Sequence, residues 1–148
     1  MGTPASCDHE RNQMTKADDV DEIRQLLVRN FQLGDKNRMA EWVDTYTDDA
    51  VFRSPVLNLT GRDELTAEGS KLRAQVPARH WVGNMLIDVD GDEATASSYL
   101  VVTAASLPPT LMASGELEDR LRRVDGRWRI AERTMTLDGM GATPTAEG

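Results

Sequence analysis

The second half of the chain carries strand signals almost without a break, and this constrains its fold more than any other feature. Apolar and β-branched residues run through 79–89, 93–105, 111–124 and 127–138. Asp90-Gly91 and Asp125-Gly126 interrupt the pattern at two junctions. Asp-Gly suits a two-residue hairpin because both positions tolerate the positive φ that such turns require. Leu107-Pro108-Pro109-Thr110 makes the remaining connection as a loop. Four strands joined in this way predict a long antiparallel meander.

The first half reads as helix. From about Thr15 to Leu33, Val20, Ile23, Leu26, Leu27 and Phe31 recur at the spacing that builds one buried stripe. Thr15 or Asp18 can cap the start, and Asp18, Asp19, Asp21 and Glu22 crowd the positive end of the helix dipole. Gly34 is expected to end this helix, with Asp35 at the junction to a second one carrying Met39, Trp42, Val43 and Tyr46. Thr47-Asp48-Asp49 is expected to break that helix, and 50–54 to form a short strand stopped by Pro55. Residues 61–74 predict a third helix, closed by Pro77.

Helices first and strands after indicate an α+β domain over 16–138. The polar leader 1–15 and the Gly/Ala/Thr/Pro-rich tail 139–148 are expected to be disordered. A sheet this long, with helices at one end, must curl around them. Its concave apolar face is then the natural place for a small ligand.

Composition narrows the partners. The net charge of -8 disfavours nucleic acid and anionic lipid. The only cysteine, Cys7, permits neither an internal disulfide nor a cysteine metal site. No basic-then-apolar start resembles a signal peptide, and no apolar run approaches a bilayer span, so a cytoplasmic location is expected.

His80 is the one histidine outside the leader, where His9 lies. It can move a proton near neutral pH, or it can be a structural strand histidine. Asp35 is either a helix N-cap or the carboxylate that orients that imidazole and stabilises its cation. Arg133, on an apolar stripe, either stabilises a developing anion or pairs with Asp119 or Glu132. Strict alternation groups it with Ala131, Met135 and Leu137, opposite Trp128 and Ile130. Tyr99, Asn84, Thr103 and Tyr46 are candidates for contacting substrate in the concavity, although Tyr99 also suits a core position. Asp48 and Asp49 are expected to be solvated, and Arg120-Leu121-Arg122-Arg123 to be an exposed strand edge. Phosphate-binding glycine loops, Gly-x-Ser-x-Gly elbows and zinc-ligand spacings are absent, so neither cofactor nor metal is expected.

These residues carry a resemblance. Gly34-Asp35 through Trp42 and Tyr46-Thr47-Asp48-Asp49-Ala50-Val51-Phe52 resembles the opening of SnoaL-like proteins, of the nuclear-transport-factor-like superfamily. Gly61-Arg62-Asp63-Glu64 resembles the start of their third helix. Arg79-His80-Trp81-Val82-Gly83-Asn84 resembles their histidine-to-asparagine motif, and the two Asp-Gly segments resemble their hairpins. The resemblance spans roughly 18–138. It implies a cone: a curved antiparallel sheet wrapped around N-terminal helices, with an apolar central pocket.

Within that superfamily the pattern is similar to scytalone dehydratase, hexachlorocyclohexane dehydrochlorinase and bile-acid 7α-dehydratase, which share an Asp–His dyad. Asp35 stands 14 residues before Asp49, as the dyad Asp does there, and His80 heads its motif. Arg133 stands five residues past Trp128, as an arginine does in the dehydrochlorinase. Asn30 replaces that enzyme's lysine, which argues against halide elimination. Gly34 replaces a tyrosine beside the Asp, and scytalone dehydratase's second histidine has no counterpart.

The resemblance therefore implies a cofactor-free lyase, isomerase or polyketide cyclase acting on an apolar, ring-containing molecule, polyketide or steroid-like. It also implies a homo-oligomer, trimer or dimer. The alternatives are a non-catalytic binding or subunit module, such as a dioxygenase small subunit, and, less well supported, an epoxide hydrolase. The last needs paired carboxylates around an arginine, and no such trio is evident.

Overall fold

The computed structural model describes residues 15–75 and 77–140, with nothing said of the side chains of 72–75. Most of the expected leader and tail, with Cys7 and His9, lies outside the described residues. Helix α1 spans Lys16–Asp35. Thr15 caps it, its hydroxyl accepting from Asp18 N at 3.1 Å while the Asp18 carboxylate accepts from Thr15 N at 2.9 Å. This reciprocal pair satisfies donors that the first turn leaves open. Ile23, Leu27, Asn30, Phe31 and Gly34 share the buried face.

Gly34 does not end this helix. The chain remains helical through Asp35 and turns only at Asn37, whose φ of 56° is left-handed. Asn tolerates that region because its side chain can bond locally. Helix α2, Met39–Asp44, starts after Arg38 without a side-chain cap. Asp35 is therefore the last residue of α1, not the N-cap of α2.

Strand β1 covers Tyr46–Arg53, β2 Asn58–Thr60, and helix α3 Gly61–Gln75. Thr47-Asp48-Asp49 continues into strand rather than breaking a helix, and Tyr46 opens β1. These residues are an irregularity in the strand, flanked by Tyr46 and Val51, which pair with β6 on either side of it. The meander follows as β3 (Ala78–Asp90), β4 (Glu93–Ala104), β5 (Leu111–Val124) and β6 (Arg127–Leu137).

The six strands form one curved, unclosed sheet in the order β2-β1-β6-β5-β4-β3. All neighbours are antiparallel except β1 and β6, which run parallel. The main core gathers Ile23, Leu27, Trp42, Tyr46, Leu65 and Ile130; Phe31, Leu100 and Leu117 form a second cluster.

Two of the sheet's bulges re-sort side chains relative to strict alternation. On β3, Gly83 faces Tyr99 but Leu86 faces Ser97, so β3 carries one extra residue there. Asn84, at φ 50°, lies in that bulge. On β6, Asp119 faces Arg133 and Arg120 faces Glu132, yet Leu121 faces Ile130, so Ala131 is the extra residue. A bulge shifts the alternation by one. Ile130 and Arg133 are consequently both buried, although strict alternation sets them on opposite faces.

The arginine cluster is not at an edge, because β5 has β4 on one side and β6 on the other. Arg122 pairs with Asp49 at 3.0 Å. Arg123 bonds Asp19 at 2.9 Å and Asp92 at 3.0 Å and lies 4.6 Å over the Trp128 ring.

Candidate functional site

A cavity of about 260 Å³ lies between the helices and the concave face of the sheet. Phe31, Trp42, Phe52, Leu59, Val102 and Met135 give it an apolar wall. Its polar lining is Asn30, Tyr46, Ser54, His80 and Arg133.

Packing of α1 against β3 brings Asp35 to His80 across the fold. The Asp35 carboxylate grips one residue twice. Oδ2 accepts from the His80 backbone N–H at 2.9 Å, and Oδ1 lies 2.5 Å from His80 Nδ1. The two side chains are 7% and 13% exposed, so water competes little for this contact. An ionised carboxylate only accepts, which places the ring proton on Nδ1 and leaves Nε2 as the basic nitrogen. The imidazole also stacks on Phe31, centroids 5.4 Å apart.

Arg133 is only 1% exposed, and its guanidinium is held on several sides. It donates to Asp119 twice, from Nε at 2.6 Å and Nη2 at 2.9 Å, and to Asn30 Oδ1 from Nη1 at 2.7 Å. It also lies 4.7 Å over the Phe31 ring and beside the Tyr46 phenol. Burial pushes the guanidinium's proton affinity down, but Asp119 and Tyr46 more than offset this and hold it above the ordinary arginine value. Asn30 is fixed in turn, donating to Thr45 Oγ1 at 2.8 Å. Of the two expected partners, Asp119 takes Arg133, while Glu132 pairs with Arg53.

The structure brings His80, Arg133 and Tyr46 to the cavity wall, with Asp35 directly behind His80. It does not bring Tyr99, Asn84 or Thr103 there. Tyr99 is 56% exposed, because the inward residues of β4 are the even-numbered Ala96, Ser98 and Leu100. Thr103 has the same outward parity and accepts from Trp81 Nε1 at 3.0 Å. Asn84 would share a face with His80 under strict alternation, but the β3 bulge turns it out and Met85 in.

Asn30, Asp119 and Trp42 belong to the site and were not singled out as functional by sequence. Asn30 did leave a signal: it is a polar residue on the apolar stripe, four positions after Leu26. Among the described residues no group of three His, Cys, Asp or Glu side chains could hold a metal, and no helix is long and apolar enough to cross a membrane.

The fold recurs among known proteins. No curated protein sequence matches the chain significantly. Among solved structures, an Asp-to-Asn variant of Rv3472 from Mycobacterium tuberculosis, a protein of unknown function, is 31% identical with a TM-score of 0.78, over 86% of this chain and 78% of that one. A Catenulispora acidiphila protein in complex with S-DNPA is 28% identical with a TM-score of 0.75, over 83% and 96%. The beta subunit of a putative aromatic-ring-hydroxylating dioxygenase from Novosphingobium aromaticivorans shares the fold at 21% identity and a TM-score of 0.73, over 88% and 100%. The SnoaL-like domain profile matches residues 15–134, a span that includes Asp35, His80, Arg133 and the strands that position them, and the chain belongs to that family.

Proposed function

We propose that this protein is a cofactor-independent lyase, isomerase or cyclase that removes a proton from carbon beside a carbonyl in a small ring compound. The observation that carries this reading is the double grip of Asp35 on His80 at the edge of an apolar cavity. His80 Nε2 takes the proton, and Asp35 fixes the tautomer and stabilises the imidazolium that forms. Arg133 and Tyr46 face the developing oxyanion, the arginine held in place by Asp119 and Asn30 so that little reorganisation is needed. That the Catenulispora protein forms a complex with S-DNPA is in keeping with a ligand-binding role for this fold. Arg133 has one carboxylate partner, Asp119, with the amide of Asn30 on its other side, so paired-carboxylate epoxide hydrolysis lacks support.

Model compounds suffice for the test. Enolisable ring ketones are incubated with the protein in D₂O, and loss of α-proton signal is followed by NMR. His80→Ala and Asp35→Asn should each slow exchange by about 10²–10⁴-fold, with circular dichroism unchanged. Near-full exchange in either variant would dispose of the dyad mechanism.

The second reading is a binding or subunit module with the same cavity and no chemistry. It is favoured by the outer sheet face, where Trp81, Tyr99, Val101 and Leu111 are exposed together. A large exposed apolar patch of this kind marks a protein contact. Under the enzymatic reading the same face joins copies of this chain into a homo-oligomer. Ligand binding without exchange on any ketone would favour the module.

A further inference from the structure

A short stretch of α1 supplies three of the side chains that hold the site. Asn30 accepts from Arg133, Phe31 meets both His80 and Arg133, and Asp35 grips His80. Phe31 and Asp35 are four residues apart, so they stand one above the other on the same helix face. The imidazole is therefore held in two ways from one element. Asp35 takes its Nδ1 edge at 2.5 Å. The Phe31 ring lies against its face, with centroids 5.4 Å apart and planes 25° from parallel.

Each contact restrains what the other leaves open. A hydrogen bond at Nδ1 fixes that nitrogen but lets the ring rock about it, and a stack on the ring's face opposes the rocking. With both in place, the direction of Nε2 is set before a ligand arrives. Phe31 is itself 4% exposed, so it has little room to swing aside.

The stack has an electrostatic consequence as well. The face of a benzene ring is negative and attracts a cation within about 6 Å of its centroid. Phe31 already meets one cation, with Arg133 Cζ 4.7 Å from its centroid. Asp119 balances that charge by accepting from the guanidinium twice. When His80 takes a proton, the imidazolium becomes a second cation within range of the same ring. A leucine would fill this position of the stripe without offering a negative face. The charged groups around the imidazole are few. Asp35 meets it from α1, and Arg133 of β6 shares the Phe31 ring with it. On β4, the residues paired beside it, Val101, Val102 and Thr103, have no charge, and Arg79 next to it on β3 is exposed.

We infer that Phe31 is a positioning residue for His80: it fixes the plane of the imidazole and stabilises the cation that forms when His80 accepts the substrate's proton. This rests on His80 being the general base proposed above and adds a residue that works through that base.

Fluorine on the Phe31 ring is the test, because each fluorine drains the negative face with little change of shape. Protein with phenylalanine, 4-fluoro-, 3,5-difluoro- or 3,4,5-trifluorophenylalanine at position 31 is made with His9→Gln, which leaves one imidazole in the chain. The His80 Hε1 signal is followed by NMR through a pH titration. Exchange of α-protons, on the ring ketone that the unfluorinated protein exchanges fastest, is followed in D₂O. The protonation midpoint should fall along the series by about half a pH unit in all. The kcat for exchange should fall about twofold to threefold, with KM unchanged. Should the trifluoro form not fold, the first two steps give the trend. A midpoint that stays level overturns the inference, since a residue that merely packs is indifferent to fluorine. If the unfluorinated protein exchanges no ketone, the proposed reaction falls instead, and the titration still decides whether Phe31 stabilises the charged ring.

Discussion

Asp119→Ala is the most informative single perturbation of the core, because it separates a structural arginine from a self-sufficient one. Arg133 and the Asp119 side chain are each 1% exposed and joined by two hydrogen bonds. Removing the carboxylate leaves a buried cation with only neutral acceptors, Asn30 and Tyr46, beside it. Arginine does not deprotonate to escape this. Breaking a buried pair from one side costs about 3–5 kcal/mol, a large part of the ~5–15 kcal/mol available to a domain. With a urea slope of about 2 kcal/mol per M, the unfolding midpoint should fall by about 2 M. Equilibrium urea unfolding at pH 7, followed by far-ultraviolet circular dichroism, measures this. Replacing both partners, Asp119→Leu with Arg133→Met, should recover most of the loss, since an apolar pair of similar volume carries no unpaired charge. The reasoning is refuted if Asp119→Ala stays within about 1 kcal/mol of wild type at unchanged slope. It also fails if the double variant is no more stable than the single.

Gly69→Ala should push the Trp42 indole into the cavity, since the added carbon would sit 2.9 Å from Cζ3 and 3.1 Å from Met39 Cε; weaker binding of a cavity probe, by calorimetry, is the readout. Gly115→Ala should be far more damaging, because its Cβ would lie 2.0 Å from the Thr136 carbonyl oxygen on the paired strand. A cost of about 2 kcal/mol or more is expected, and an unchanged melting temperature would contradict the close approach of β5 and β6. Backbone and hydroxyl bonds from Thr15 lower the Asp18 pKa below its ordinary 3.8. The stabilisation is therefore complete above that value and lost as pH falls through the depressed one. Asp18→Asn should lower the melting temperature at pH 7 and converge with wild type at the acid end of a pH series. Trp81→Glu combined with Leu111→Glu should shift sedimentation to the monomer; a wild-type protein that already sediments as a monomer would rule out the outer face as a contact between copies.

Much of this architecture was legible from local signals. The stripe from Ile23 to Phe31, the two Asp-Gly turns and the apolar runs between them predict helices followed by an antiparallel meander, and β3 to β6 form with boundaries within a residue or two of expectation. Thr15 and Asp18 signal their own capping box. These features depend on the geometry of a few consecutive residues, so the chain states them directly. Asp35 and His80 could be nominated because residue type and spacing resemble a family pattern, but 44 residues separate them.

Their 2.5 Å contact is a product of α1 packing across β3. The bulges at Asn84 and Ala131 were not legible; the first turns Asn84 away from the concavity, and the second reverses the alternation on which Trp128 and Arg133 were sorted. A bulge is set by the pairing of two distant strands, not by the residue that forms it. The parallel pairing of β1 with β6, which holds Tyr46 and Val51 on either side of Thr47-Asp48-Asp49, has the same origin. The sequence by itself therefore determined the long helices, the four meander strands and the chemistry on offer. Only tertiary structure decided which side chains share the cavity, because strand register and helix packing are set by contacts between segments far apart in the chain.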